Sequence, residues 1–208
     1  MGNILTFSGR SITAKGLNIN ALPNQEKLQS CFFDVDYKNL ELLKNVQTFD
    51  MQEPILLYPG CGVDILFPLH YLETLFPETK KARFLFVDVD PNLQTIKTIL
   101  DDVGIHFEEK KNAIRFYWKQ KLITLIFIQG NIDNVLEALP SIDIYFERAF
   151  RIMRDSIINY ENKIINKLSN NAIIISDSGF QNSSLQRIPV SKDLSSYKEM
   201  IILQKLSQ

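Results

Sequence analysis

The chain has 208 residues, of which 23% are charged and 45% hydrophobic, the proportions of a folded globular protein rather than a disordered or fibrous one. Lys and Arg number 23 against 24 Asp and Glu, for a formal net charge of −1. That balance argues against a general nucleic-acid binder, which carries a strongly basic domain, and against a polybasic membrane patch. At roughly 150 residues per domain the length suits one domain with an appended segment.

Cys31 and Cys61 are the only cysteines, and His70 and His106 the only histidines. They form no Cys-x-x-Cys or Cys/His cluster, so no metal site is expected. The absence of a disulfide framework fits a reducing compartment. No apolar run approaches the roughly 20 residues of a membrane span, and the first residues lack the layout of a signal peptide. Together these features point to the cytoplasm. Met1–Thr6 matches the short myristoylation pattern at Gly2, a pattern brief enough to arise by chance.

In chain order, Gly9, Gly16 and Pro23 break the first stretch into turns. Leu40, Leu42, Leu43 and Val46 then predict a short helix near 36–48, and residues 1–53 read as an N-terminal cap segment. From Pro54 the pattern changes. Ile55–Tyr58 is a short apolar run stopped by Pro59-Gly60-Cys61-Gly62, as expected of a parallel strand covered on both faces. A helix is predicted over 68–76, with Pro68 in its first turn. Phe84–Asp88 is a second strand. The next helix is expected at 91–102, with Asp90 as its cap because Pro91 follows.

Ala113–Trp118 and Leu122–Ile128 predict two strands or a hairpin. His106, which precedes a Glu-Glu-Lys-Lys run, reads as a solvated loop residue. Gly130–Asp133 is a turn, Val135–Leu139 a short helix, Ile142–Phe146 a buried strand and 149–168 one long helix. Asn170-Asn171 turns the chain into a fifth strand, 172–176. Leu185–Val190 and Tyr197–Leu203 suit an antiparallel hairpin.

Strands alternating with helices over 54–176 predict a parallel sheet with helices on both faces. Such sheets bind ligands beyond the carboxyl ends of their strands, at the switch in strand order. Those ends are Pro59–Gly62, Asp88–Asp90, Gly130–Asp133, Glu147–Arg148 and Asp177–Gly179. Gly60 and Gly62 permit close backbone approach to a ligand, yet Ile65 breaks the dinucleotide pattern Gly-x-Gly-x-x-Gly and no phosphate loop is present. Asp88, at the end of the second strand, is placed to accept from ribose hydroxyls. Glu147 and Arg148 stand at the mouth of the expected cleft, where Glu147 suits a base or the placing of a nucleophile. Arg148, Arg151 and Arg154 lie three apart. An anionic ligand would balance them, and so would pairing with Glu147, Asp155 or another nearby acid. His70, inside the helix after the glycine turn, reads as packed or partly exposed rather than catalytic, and no basic-aromatic platform for nucleic acid is evident.

Residues 55–65, Ile-Leu-Leu-Tyr-Pro-Gly-Cys-Gly-Val-Asp-Ile, resemble the first motif of class I S-adenosylmethionine-dependent methyltransferases. Phe86–Pro91 is similar to the second motif, Gln129–Asp133 to the third and Ser141–Phe146 to the fourth-strand motif. The resemblance covers 54–180 and implies a Rossmann-like, doubly wound α/β fold over 54–208, mostly parallel, with an antiparallel C-terminal hairpin at its edge. It implies S-adenosyl-L-methionine as cofactor, bound by Tyr58, Pro59, Gly60, Cys61, Gly62, Asp64, Asp88, Val89, Asn131 and Ile132, with Glu147 and Arg148 as catalytic candidates. Tyr58 stands where the family's first motif begins with an acid, Asp64 replaces its last glycine, and Asn131 replaces the usual Asp of the third. The segment after the fifth strand is short enough that one late helix of the family is missing. The implied activity is methyl transfer to a small-molecule acceptor, an anionic one if the Arg residues bind it. The alternative is a binding module on the same fold that has weakened or lost the cofactor.

Overall fold

The computed structural model describes residues 10–181 and 185–206. The Gly2 pattern lies outside them. The N-terminal segment forms α1 (Gln25–Ser30) and α2 (Asp34–Leu40), followed by a 3-10 turn at Glu41–Asn45. Asn24 caps α1 by accepting from the Lys27 amide. Leu28, Phe32 and Leu43 enter the same apolar cluster as the sheet face they cover.

From Pro54 the chain runs β1 (Ile55–Pro59), α3 (Leu66–Leu75), β2 (Lys81–Asp88), α4 (Leu93–Asp102), β3 (Phe107–Lys110), β4 (Ala113–Trp118) and β5 (Lys121–Gln129). It continues through α5 (Ile132–Val135), β6 (Ile142–Glu147), α6 (Arg151–Ser156), α7 (Tyr160–Lys167), β7 (Leu168–Ser176), β8 (Gln186–Ile188) and β9 (Ile201–Gln204). The strands form one sheet in the order β3-β4-β5-β2-β1-β6-β7-β9-β8. The central five, β5 to β7, are parallel. Antiparallel strands extend both sides.

Each central strand is apolar on both faces because both are covered. Leu56, Tyr58, Phe84, Phe86, Ile144 and Phe146 pack under α3 and α4. Leu57, Leu85, Val87, Tyr145 and Ile174 pack against Ile132, Phe150, Tyr160 and Ile164 on the other face. The chain travels outward from β1 to β2 and β5, then returns to β6 on β1's other side. The switch in strand order therefore lies between β1 and β6, with the Gly60 turn and Arg148 on either side of it. No helix among the described residues is long and apolar enough to cross a membrane.

Three expectations are corrected, and one strand is unforeseen: the charged run after His106 forms the edge strand β3, with Phe107 buried and Glu108, Glu109 and Lys110 exposed. The helix near 91 begins at Leu93. Its N-cap residue is Asn92, which makes no side-chain cap bond, so Asp90 does not cap it. The helix expected over 149–168 is two, α6 and α7, parted by Asn159 in the left-handed region at φ 58°, a conformation that asparagine tolerates. Asn170-Asn171 is not a turn but lies inside β7. The register against β6 slips there, from Ile142 opposite Leu168 to Ile144 opposite Ile173, and Asn171 takes a φ of 62°, a bulge rather than a strand start.

Candidate functional site

β1 ends in a turn that only glycine makes without strain, since Gly60 and Gly62 have φ of 59° and 53°. The Gly60 amide donates to the Val87 carbonyl at 2.8 Å, which ties the turn to β2. The Gly62 amide donates to Asp88 Oδ2 at 2.7 Å, and the Asp90 amide to Asp88 Oδ1 at 3.0 Å. Asp88 is thus anchored by backbone, with lone pairs left for further donors. A Cβ at Gly62 would meet nothing within 4 Å, so the space above it is open to a ligand. A Cβ at Gly60 would stand 2.5 Å from the Phe150 ring. There the close approach that glycine permits is used by a side chain of this protein.

Beside this turn lies a pocket of about 220 Å³ bordered by Gly62, Asp88, Val89, Asn131, Ile132 and Phe150. Met153 and Ile157 of the α6 segment close its apolar wall. Asn131 caps α5, its Oδ1 accepting from the Asp133 amide at 2.9 Å, and its amide nitrogen makes no hydrogen bond among the described residues. Sequence reasoning brought Asp88, Val89, Asn131 and Ile132 together here. It missed Phe150, Met153 and Ile157, whose position after the fourth carboxyl end was the available signal.

Tyr58, Asp64 and Arg148 meet in a separate cluster. The Tyr58 ring packs edge-on to Phe86 and Phe146, and its hydroxyl donates to Asp64 Oδ2 at 2.8 Å. Arg148 Nη1 donates to the same oxygen at 3.1 Å, and the Phe67 amide donates to Oδ1 at 3.3 Å. The guanidinium lies 3.2 Å from the Phe67 ring centroid, a cation–π contact, and its Nε is 4.0 Å from Asp177 Oδ2. Burial pushes the Tyr58 hydroxyl far above its usual range, and Asp64 adds to this. Burial also raises Asp177. It would lower Arg148, but Asp64, Tyr58, Tyr71 and Asp177 outweigh it and keep that guanidinium charged. Asp64 thus sets a carboxylate against both the Tyr58 hydroxyl and the Arg148 guanidinium. Asp177 was visible in the sequence only as a strand end.

Glu147 lies beneath the cleft, not at its mouth. Its side chain is 0% exposed. Oε1 accepts from Arg154 Nη1 at 2.6 Å, Ser176 at 2.6 Å and Ser178 at 3.2 Å, and Oε2 accepts from Tyr145 at 2.6 Å. Burial raises its pKa, against the pull of Arg154. Arg154 also donates to the carbonyls of Gly179 and Ser178. Arg151 pairs with Glu199 at 2.6 Å. The three arginines therefore do not form one face toward a ligand. Each is matched by an acid, as the pairing alternative requires. Pro59 is buried at the end of β1. Cys61 is buried with a thiol pushed up by burial, an unreactive state. His70 packs edge-on to Phe32 and Trp118. Among the described residues no group of three or more His, Cys, Asp or Glu is arranged to hold a metal.

No family model matches the sequence, and no curated protein matches it. Solved structures do. An O-methyltransferase family 2 protein from Planctomyces limnophilus, in complex with apigenin, has a TM-score of 0.50 at 12% identity, over 82% of this chain and 58% of that one. A methyltransferase from Geobacter sulfurreducens has 0.48 at 14% identity, over 83% and 78%. An S-adenosyl-L-methionine methyl transferase from Silicibacter pomeroyi has 0.43 at 9%, over 88% and 93%. This chain spans little more than half of the Planctomyces protein, and at such identity the likeness is one of fold. The strand order and the Planctomyces likeness agree: this chain carries a Rossmann-like methyltransferase fold, with an antiparallel C-terminal edge.

Proposed function

We propose that this chain binds S-adenosylmethionine at the carboxyl ends of β1, β2 and β5 and transfers its methyl group to a small-molecule acceptor. One observation carries the reading: Asp88, anchored by the Gly62 amide at 2.7 Å, borders an apolar, nucleoside-sized pocket. An ionised carboxylate at a strand end accepts well from paired ribose hydroxyls. Val89, Ile132 and Met153 offer apolar surface to a base, and Asn131 offers an amide N–H. The pocket is smaller than the roughly 300–1,000 Å³ that encloses a whole drug-sized ligand. The amino-acid end is thus left to Asp64 and Arg148, which match an ammonium and a carboxylate in charge.

The cofactor supplies a methyl group already activated on a sulfonium, so the protein must mainly orient and exclude water. In this proposal Arg148 fixes charge at the transfer end of the cleft. Glu147 acts through Arg154, holding α6 and its Phe150 wall against the sheet. A general base is not required for a neutral amine or a carboxylate nucleophile. The apigenin of the Planctomyces structure is a small-molecule ligand of the acceptor class proposed here.

A second reading, a nucleoside-binding module without transfer, is favoured by the commitment of both Asp64 oxygens within the protein. Titration calorimetry with S-adenosylmethionine, S-adenosylhomocysteine and adenosine separates the two. The proposal expects micromolar binding of the first two, weakened about tenfold to a hundredfold in Asp88→Ala by the loss of charge-assisted hydrogen bonds. Adenosine binding as tightly as S-adenosylhomocysteine favours the module. No heat from any of the three at millimolar concentration rejects both.

A further inference from the structure

α6 parts two spaces. Its segment presents Phe150, Met153 and Ile157 to the nucleoside pocket, while Arg151 and Arg154 border an open cleft of about 650 Å³ over β9 and β8. No helix of the described residues lies between β7 and β8, so this part of the sheet has a cleft where a helix would otherwise pack. Arg187, Lys192 and Lys198 complete its rim, and Glu199 is the single acid among its described lining residues. Five cations against one acid is a strong local excess on a chain whose formal net charge is −1.

The cations are not equally available. Arg154 is spent on Glu147 and two carbonyls, and Arg151 on Glu199 at 2.6 Å. Lys198 stands 3.9 Å from Asp193. The side chains of Arg187 and Lys192 have no ion-pair or hydrogen-bond partner among the described residues. Arg187 lies directly across from Leu203 in the β8–β9 pair, so both side chains share one sheet face. Leu203 and Ile201 supply an apolar floor beside an unpaired guanidinium. Two unpaired cations at a cleft rim attract counter-ions, an apolar floor adds affinity for a molecule with a hydrophobic body, and the volume lies in the small-molecule range.

We infer that this cleft is a second binding site, taking a small organic anion, a phosphate or carboxylate on an apolar body, held by Arg187 and Lys192. The inference does not depend on the nucleoside pocket being filled. The test is calorimetric titration of the whole chain, at low ionic strength, with phenyl phosphate, benzoate and inorganic phosphate. Arg187→Glu and Lys192→Glu are compared with Lys110→Glu, an equal charge change on the opposite sheet edge, and with Asp88→Ala. Thermal melts confirm that each variant folds, and Arg187→Gln serves as a milder replacement.

Saturable binding of phenyl phosphate or benzoate is expected, weakened about tenfold or more by either cleft substitution and unchanged in Lys110→Glu and Asp88→Ala. The tighter of the two probes identifies the anionic group. The inference is overturned by absence of binding, by an equal loss in Lys110→Glu, or by inorganic phosphate binding as tightly as phenyl phosphate. It is equally overturned if an oligonucleotide binds and the small anions do not.

Discussion

Removing the Glu147 carboxylate tests whether this residue serves chemistry or architecture. In Glu147→Ala, Arg154, 4% exposed, keeps its charge and its place but loses its buried partner at 2.6 Å. Leaving one half of a buried ion pair uncompensated costs about 3–5 kcal/mol, a large part of the roughly 5–15 kcal/mol that holds a domain folded. The Ser176 and Tyr145 hydroxyls lose acceptors at the same time. Glu147→Gln keeps the shape and an acceptor, and is expected to cost less, about 1–3 kcal/mol. Replacing both partners with apolar groups, Glu147→Leu with Arg154→Met, should recover much of the loss, because desolvation then costs nothing. Urea unfolding followed by the fluorescence of Trp118, the single tryptophan, measures all three, with an unchanged slope required for comparison. A loss below about 1 kcal/mol in Glu147→Ala, or a double variant as unstable as the single, would refute the clamp. A base at the cleft would instead leave Glu147→Gln stable and inactive.

Three further outcomes follow from the site and its surroundings. Gly60→Ala combines left-handed strain of about 1–2 kcal/mol with a collision on Phe150 costing about 1–3 kcal/mol more, whereas Gly62→Ala, with open space above it, carries only the strain. Chemical unfolding should rank Gly60→Ala as the worse, and the reverse order would contradict the packing of Phe150. Burial, helped by Lys119 and opposed by Glu73, lowers the pKa of His70 from 6.5. The fold therefore favours the neutral ring. Its contribution is complete above 6.5 and lost as pH falls below it, because the unfolded chain takes up the proton first. His70→Phe should flatten the decline in stability between pH 7 and about pH 5 relative to the parent, and parallel curves would discard the argument. Asp88→Ala leaves the Gly62 and Asp90 amides without their acceptor and should cost about 1–3 kcal/mol, while reducing any thermal shift caused by S-adenosylhomocysteine, and a ligand-induced shift as large as the parent's would mean that Asp88 serves the glycine turn alone.

Much of the fold is written locally. Ile55–Tyr58, Phe84–Asp88 and Ile142–Phe146 are apolar without alternation because helices cover both faces, and their carboxyl ends gather the glycines and acids that outline the pocket. What escaped depends on distant partners or on unmarked backbone. The β4–β5 turn uses Lys119 and Gln120, both at positive φ, where an Asn-Gly pair would have announced it. Arg148 finds Asp64 84 residues away, and Phe150 finds Gly60. No periodicity encodes such pairings. Glu147 read as a cleft residue because its place at a strand end was legible, while its burial under Ser176, Ser178 and Arg154 needed the assembled strands.

The outermost strands govern how copies of this molecule meet. An open sheet offers unpaired peptide groups along both sides, which can template another chain. On one side β3 lines that margin with Glu108, Glu109 and Lys110, all exposed, so an incoming strand must bury charge to add. On the other, β8 has only three residues, too few to seat a partner firmly. The sheet is thereby guarded against end-to-end growth, and the chain can keep five adjoining apolar strands at its centre without presenting them as a seed for aggregation.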